Sequence, residues 1–544
     1  MDDHSTVIWR GHFYLAGEPA GVPSVRALLA RLARQRLAEA LTDACGVFAL
    51  FVHDRRRGEW QVASDNLALH KLFWDEQAVS TSFLDLARRR GVRPADTRIE
   101  SLAAFLILGY VPGEATFVPA IRKLGHDEVL VLRPRQPPQI EAKRVALFPD
   151  GSPEAEFAQH FADFATSLRG RRVSVDITGG FDSRLIAVML AHHGVPCELV
   201  VASGGESLDV DIAARVAGVL DRPFHHHVHD VASLDADLPQ AFLIGDGQHE
   251  IRAIHKDLQN ATARLARGME VMVQGGGGEL FCDNHLYQHF PFYGRRRADL
   301  DWQYDLRFTS IRLPNSLLGA RGTEIAAAVR ADHINRSRRL AAGGAHETYV
   351  RIYLLLRWSE TYGRALNNYV NMGLDAAAPF LDLRLGLLAS RLSPWWGFQR
   401  RWHRTFTTRF APEVAALPTT DGYSALRTGP IEPAVWLNFL AQGTRRLARK
   451  RAQRVLGRAL FPKRGSEGGY SAPGYDARLR ARPEIERAIA LLGEAGLLRA
   501  DSRAAEIPDH FIPRLLTLGM LGEWLDRAAS RRAAVPPETA RPAA

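Results

Sequence analysis

Residues 173–187 read Val-Ser-Val-Asp-Ile-Thr-Gly-Gly-Phe-Asp-Ser-Arg-Leu-Ile-Ala, the stretch that most limits what this chain can fold into. Val173, Val175 and Ile177 alternate as a half-buried strand does. Thr178, Gly179 and Gly180 form a turn, and Asp182 or Ser183 is placed to cap a helix. Leu185, Ile186, Val188, Met189 and Leu190 give that helix an apolar side, and Gly194 stops it.

A glycine turn at a helix start leaves backbone N–H groups open to a ligand. Those donors, with the helix dipole, favour an anion such as phosphate. Ser183 adds a hydroxyl. The Asp182 carboxylate would repel phosphate unless a cation intervened, which points to Mg2+. A Walker-type loop is excluded, because Gly-Lys-Ser/Thr occurs nowhere in the chain. The bland alternative is an ordinary strand-to-helix turn that needs glycine.

The surrounding pattern extends this unit. Glu198 to Ser203 reads as a buried strand, Asp209 to Leu220 as a helix, and the next strand carries His225, His226, His227 and His229. Adjacent histidines on a strand face opposite ways and do not converge on one ion. Met269 to Val273 is a further strand, ending in Gln274-Gly-Gly-Gly-Gly-Glu-Leu-Phe281. Alternating strands and helices predict an α/β domain with a doubly wound parallel sheet and ligands at the strand C-termini. Residues 1–148 are strand-rich instead. Val7 to Leu15 is a strand and Ser24 to Ala40 an arginine-rich helix. Gly46 to Asp54 pairs with Trp60 to Asp65 across the turn Arg55–Gly58. Arg133 to Gln139, with three prolines, reads as a linker.

At 544 residues two or three domains are expected. A net charge of +10 permits an anionic partner, but no nucleic-acid motif is present. Three scattered cysteines make neither a disulfide framework nor a zinc site. No signal-like start and no long apolar run occur, so no integral membrane segment is expected and a cytoplasmic setting fits. Thr444 to Arg458, dense in arginine with a thin apolar stripe, reads as an exposed helix. A membrane-surface or acidic-peptide role is its alternative. Residues 529–544 read as a disordered tail.

Thr178-Gly-Gly-Phe-Asp-Ser183 resembles the pyrophosphate loop of ATP pyrophosphatases. Glu279-Leu-Phe281 and Pro379-Phe-Leu-Asp382 narrow the resemblance to the asparagine synthetase family. That resemblance implies an N-terminal Ntn-hydrolase-like αββα domain at 1–148. It implies an ATP pyrophosphatase domain of the adenine nucleotide alpha hydrolase-like kind, with a helical extension, at 149–528. It also implies ATP and Mg2+. Thr178, Gly179, Gly180, Phe181, Asp182, Ser183, Gly275 and Gly276 would bind the nucleotide, and Val201 and Ser203 would lie against the adenine. Asp211 matches a helix-start aspartate of the family. Asp182 and Glu279 would hold the metal.

Several positions depart from the family pattern. The family's glutaminase cysteine follows the initiator methionine, whereas this chain starts Met1-Asp2-Asp3, so no glutaminase activity is expected. Gly278 stands where the family has its second metal aspartate, with Asp283 nearby. Asp375 and Ala377 stand for a glutamate and an arginine. The family's lysine is missing near Thr419–Tyr423. Lys463, in a glycine-rich segment, is taken as its substitute, with Arg464 and Arg427 as competitors. Lys450, between Arg449 and Arg451, is expected to add little. Lys463, Glu360 and Glu279 are the expected catalytic residues. Glu360, Arg364 and Asn367 would share one helix face as a wall of the substrate pocket.

The resulting expectation is an ATP-dependent, AMP-forming carbon–nitrogen ligase. It would adenylate a small-molecule or peptide carboxylate for attack by a non-glutamine amine, intramolecular as in lasso peptide cyclases and β-lactam synthetases. A precursor peptide and a maturation protease would be partners in the lasso case. The alternatives are a catalytically impaired nucleotide-binding subunit and, third, an asparagine synthetase using free ammonia.

Overall fold

The computed structural model describes residues 5–145, 151–282, 284–289, 297–429, 432–456 and 475–533. Met1, Asp2, Asp283, Lys463, Arg464 and the 148/149 boundary lie outside these residues, as do 534–544.

The strands are β1 (Ser5–Leu15), β2 (Ala44–Asp54), β3 (Glu59–Ser64), β4 (Phe73–Trp74), β5 (Val79–Ser80), β6 (Arg122–Lys123), β7 (Glu128–Leu132), β8 (Gln139–Ala142), β9 (Val173–Asp176), β10 (Cys197–Ser203), β11 (Phe224–Val228), β12 (Val271–Val273) and β13 (Asp375–Ala377). The helices that matter for the site are α1 (Val22–Leu32), α2 (Ile99–Leu108), α3 (Asp182–His192), α4 (Leu208–Val219), α5 (Ser359–Asn371), α6 (Arg401–Phe410), α7 (Pro433–Leu456) and α8 (Ile512–Ala533).

The N-terminal region holds a five-stranded antiparallel sheet, β1-β2-β3-β7-β8, and a small sheet, β5-β4-β6, consistent with an Ntn-hydrolase-like domain. The β2–β3 hairpin forms across Asp54↔Glu59, where the turn residues placed it. The segment Arg133–Gln139 is not a linker. It is the turn joining β7 to β8, with Val131 facing Gln139 in register. Its prolines mark a tight reversal, which composition alone does not separate from a linker. The helix expected over Ser24–Ala40 is split: α1 ends at Leu32, and a short turn follows at Leu37–Ala40. The Leu37 N–H donates to Gln61 Oε1 at 3.1 Å, an acceptor that only the folded sheet brings near.

The second sheet is entirely parallel, in the order β11-β10-β9-β12-β13. From β9 the chain winds outward to β10 and β11, then returns to the other side of β9 for β12 and β13. The winding therefore reverses between β9 and β12, and the crevice beyond their C-terminal ends is where such sheets bind ligands. Val173, Val175, Leu199, Val271 and Val273 are buried in the core that covers this sheet. A second core joins residues 83–121, including α2, to α8 near the C-terminal end. No described helix is long and apolar enough to cross a membrane.

Candidate functional site

The loops leaving β9 and β12 open into one cavity of about 550 Å3. That is within the range of small-molecule sites. Thr178, Gly180, Phe181, Asp182 and Ser183 line it from the first loop, and Gln274, Gly275, Gly276 and Glu279 from the second. Gly179 sits behind them. Its N–H donates to Asp209 Oδ1 at 2.8 Å, and its carbonyl accepts from the Thr420 N–H at 3.0 Å. A Cβ at Gly179 would meet Thr420 Cγ2 at 2.6 Å, so only glycine fits between α4 and residue 420. Asp209, rather than Asp211, is the α4 carboxylate that braces the loop.

The loop is stiffened from within. Ser183 Oγ accepts from the Thr178 N–H at 3.0 Å, and Thr178 Oγ1 accepts from the Gly180 N–H at 3.2 Å. Helix α3 starts after Phe181 without a side-chain cap, so neither Asp182 nor Ser183 caps it. The N–H groups of its first turn have no intrahelical partner, and Asp182 and Ser183 at that turn line the cavity. Arg184 is fully buried and donates to the carbonyls of Leu417 (3.0 Å) and Pro418 (2.6 Å). It thereby ties α3 to the segment carrying Thr419 to Tyr423. That segment, where the family lysine is absent, delivers Thr420 and Asp421 to the cavity.

The two carboxylates expected to hold metal do share the cavity. Asp182 is 2.9 Å from His403 Nε2 and 3.6 Å from Arg400 Nη1. The His403 approach is an ion-pair distance without the alignment of a directed hydrogen bond. Burial pushes the Asp182 carboxyl up, but His403 and Arg400 outweigh it and hold it below the usual range. Glu279 accepts from Tyr362 Oη at 2.9 Å and from the Gly277 N–H at 3.1 Å. Burial and the neighbouring Asp182 raise its carboxyl.

Gly278 contributes no carboxylate, and a Cβ there would lie 2.6 Å from Asp182 Cγ. The place of a second metal aspartate is therefore filled by Asp182 itself. Asp182, Cys282 and His403 bring donor atoms within 4.8 Å of one another. That oxygen, nitrogen and sulfur set does not suit Mg2+, which prefers oxygen ligands. Arg400 Nη1 lies 3.1 Å from Cys282 Sγ, so a guanidinium already stands among these atoms. The described residues do not fit a Mg2+ cradle centred on Asp182.

Arg400 has no forerunner in the sequence reading. It and Gln399 adopt φ of +54° and +53°, two consecutive non-glycine residues in the left-handed region. Such residues cost about 1–3 kcal/mol each and concentrate at functional sites. The turn aims Arg400 at Asp421, with Nε at 2.9 Å from Oδ2, and its guanidinium stacks 5.1 Å from the Phe181 ring centroid.

Helix α7 supplies the opposite wall. Arg446, Leu447, Arg449 and Lys450 line the cavity, while Arg445, Arg451 and Val455 are exposed. The stretch read as an exposed helix is thus half buried against the site, because its cations divide between two faces. Lys450 Nζ donates to Ser310 Oγ at 3.0 Å. Burial, then Arg307, Arg357 and Arg449, lower its pKa to about 8.

Other expected residues lie elsewhere. Glu360 does not line this cavity. It is buried where α5 meets the N-terminal region, 2.6 Å from Lys123 Nζ, 3.5 Å from Lys71 Nζ and 3.1 Å from Arg364. Asn367 on the same face accepts from the Lys71 N–H at 3.2 Å. The stripe Glu360, Arg364 and Asn367 thus packs against the N-terminal region, and Glu360 lines a separate cavity of about 300 Å3 with Lys71 and Lys123. Val201 is buried in the sheet core, and Ser203 Oγ is 2.7 Å from His226 Nε2; neither lines the cavity. Asp375 pairs with Arg171 at 3.0 Å at the start of β13, away from the strand C-termini.

With this geometry in view, comparison with known families bears on the part of the chain that carries the parallel sheet. Residues 164–411 match the family model for asparagine synthase. No curated protein matches the chain. The asparagine synthase match covers β9 to α6, and so the phosphate loop, Glu279, Tyr362 and Arg400. It supports the asparagine synthetase family and, with it, an ATP-dependent ligase that forms an amide.

Proposed function

We propose that this chain adenylates a carboxylate and passes it to an amine carried by the same substrate, as in lasso macrolactam or β-lactam formation. The observation that carries the reading is the cavity at the β9/β12 reversal. It joins a glycine loop and helix start to Arg400, Arg446, Arg449 and Lys450.

In the first step a substrate carboxylate oxygen attacks the α-phosphorus of ATP. The bond to the bridging oxygen breaks, and pyrophosphate leaves. The first-turn N–H groups of α3 and the α7 cations face the charge that develops on the departing phosphates. In the second step the amine nitrogen attacks the acyl carbon, AMP leaves and the amine loses a proton. Glu279, with its raised pKa and its bond from Tyr362, is placed to take that proton. An amine tethered to the carboxylate gains effective concentration and needs no delivered ammonia.

The test is exchange of radiolabelled pyrophosphate into ATP, stimulated by candidate carboxylates, with AMP as the nucleotide product. ADP formation would sink the reading. The loss of a carboxylate at Gly278 favours one other reading, a nucleotide-binding subunit that binds ATP without exchange.

A further inference from the structure

A ligase of this kind needs a cation between Asp182 and the bound nucleotide. Mg2+ is the usual partner of ATP, but the surroundings of Asp182 are already arranged around a cation of the chain's own. The Asp182 carboxyl occupies the space that a side chain at Gly278 would need. Its two close basic neighbours are the His403 ring, at 2.9 Å, and the Arg400 guanidinium, at 3.6 Å. His403 is completely buried and Arg400 mostly so.

Arg400 is held from three further sides. Asp421 takes its Nε at 2.9 Å, Cys282 Sγ takes Nη1 at 3.1 Å, and Phe181 of the phosphate loop lies beneath its plane. The left-handed backbone at both Gln399 and Arg400 shows that the chain accepts strain to place this guanidinium. A planar, permanently charged group with several donors can hold a carboxylate on one edge and phosphate oxygens on another.

We propose that Arg400 stands in for the metal ion at Asp182, bridging this carboxylate to the phosphates of ATP. The inference rests on ATP binding at the β9 loop. It implies that a divalent ion accompanying the nucleotide is not ligated through Asp182.

Calorimetric titration of the full chain with ATP, in Mg2+ and in excess EDTA, tests it. ATP affinity is expected to change no more than about threefold on removing Mg2+. Arg400→Gly relieves the left-handed backbone, so it should fold with a melting temperature near that of the wild type. It should lose ATP affinity about tenfold or more in EDTA and recover part of it with Mg2+, because Asp182 becomes free to take a metal. Arg400→Lys should retain an intermediate affinity in EDTA. Mn2+ titrated into the nucleotide-free protein and followed by electron spin resonance should show no tight site that Asp182→Asn removes.

If the wild type binds ATP only with Mg2+, or if Asp182→Asn abolishes a tight Mn2+ site, the inference is wrong while the ligase reading stands. If ATP binds neither with nor without Mg2+, both fall. If Arg400→Gly folds and keeps full affinity in EDTA, Arg400 has no such role.

Discussion

Two carboxylates of this molecule each sit among basic side chains, in different settings. Glu360 is closed in by Lys123, Lys71 and Arg364 at the junction of α5 with the N-terminal region, and only 5% of its side chain is exposed. Asp182 sits at a helix start, faces Arg400 and His403, and keeps 21% of its side chain open to a cavity. The first cluster sets three cations around one carboxylate and ties α5 to the N-terminal region. The second stands at a helix N-terminus across a cavity from the α7 cations, a setting that favours an anion. A cation–carboxylate cluster does not reveal its purpose by composition; what remains accessible around it does.

The contrast can be broken most sharply at Glu360. Glu360→Gln leaves Lys123 and Lys71 buried without their carboxylate, and a loss of about 3–5 kcal/mol in chemical denaturation is expected. ATP affinity of the surviving folded protein should be unchanged. A stable Glu360→Gln with impaired exchange would move Glu360 into the catalytic site. Asp182→Asn should do the reverse: unfolding little altered, but pyrophosphate exchange reduced by ~10²-fold or more, since charge placement at such a site is worth several kcal/mol.

Acid unfolding sharpens the same comparison. Burial would raise the Glu360 carboxyl, but Lys123, Lys71 and Arg364 win and hold it down to about 2 against an ordinary value of 4.5. Its ionised form therefore stabilises the fold fully above pH 4.5, and the contribution is lost as pH falls from 4.5 towards 2. Glu360→Gln should flatten that acid limb; an unchanged limb would show that other groups set it.

At the cavity, Lys450→Met should lower the exchange rate by roughly tenfold, the size expected for one cation facing a leaving phosphate. The wild-type rate should fall as pH rises through about 8, where Lys450 loses its proton, and Lys450→Arg should abolish that fall. If Lys463→Met is the more damaging substitution, the role belongs to Lys463. The smallest effect is expected at Tyr362→Phe. It removes one hydrogen bond to Glu279, worth about 1 kcal/mol, and should move the acidic limb of the amide-forming rate to higher pH while leaving ATP affinity little changed.

Residues that act with their sequence neighbours were legible beforehand. The β9 loop and α3, the β2–β3 hairpin and the turn after β12 each carry a local pattern of alternation, glycine and helix periodicity. Lys450 and Arg446 were half legible. They lie four apart on α7, so a shared face could be read, but not the direction in which that face points. Glu360 was read as a pocket wall because its spacing to Arg364 and Asn367 shows a common face without showing what covers it. Arg400 and Asp421 gave no signal of their own in a chain rich in charged residues, and Asp209 was legible only as a helix start.

The chain's own order of residues determined that a strand, a glycine turn and a helix would form at 173–192, because backbone preferences and side-chain periodicity act within a few residues. It likewise determined that an anion would be favoured there, since helix N–H groups need no distant partner to attract one. Which charges would face that anion was decided only by the tertiary structure. Arg400 lies more than two hundred residues from Asp182 and reaches it through a left-handed turn. Electrostatic partnership depends on distance in space and on the exclusion of water, and neither is encoded in local spacing.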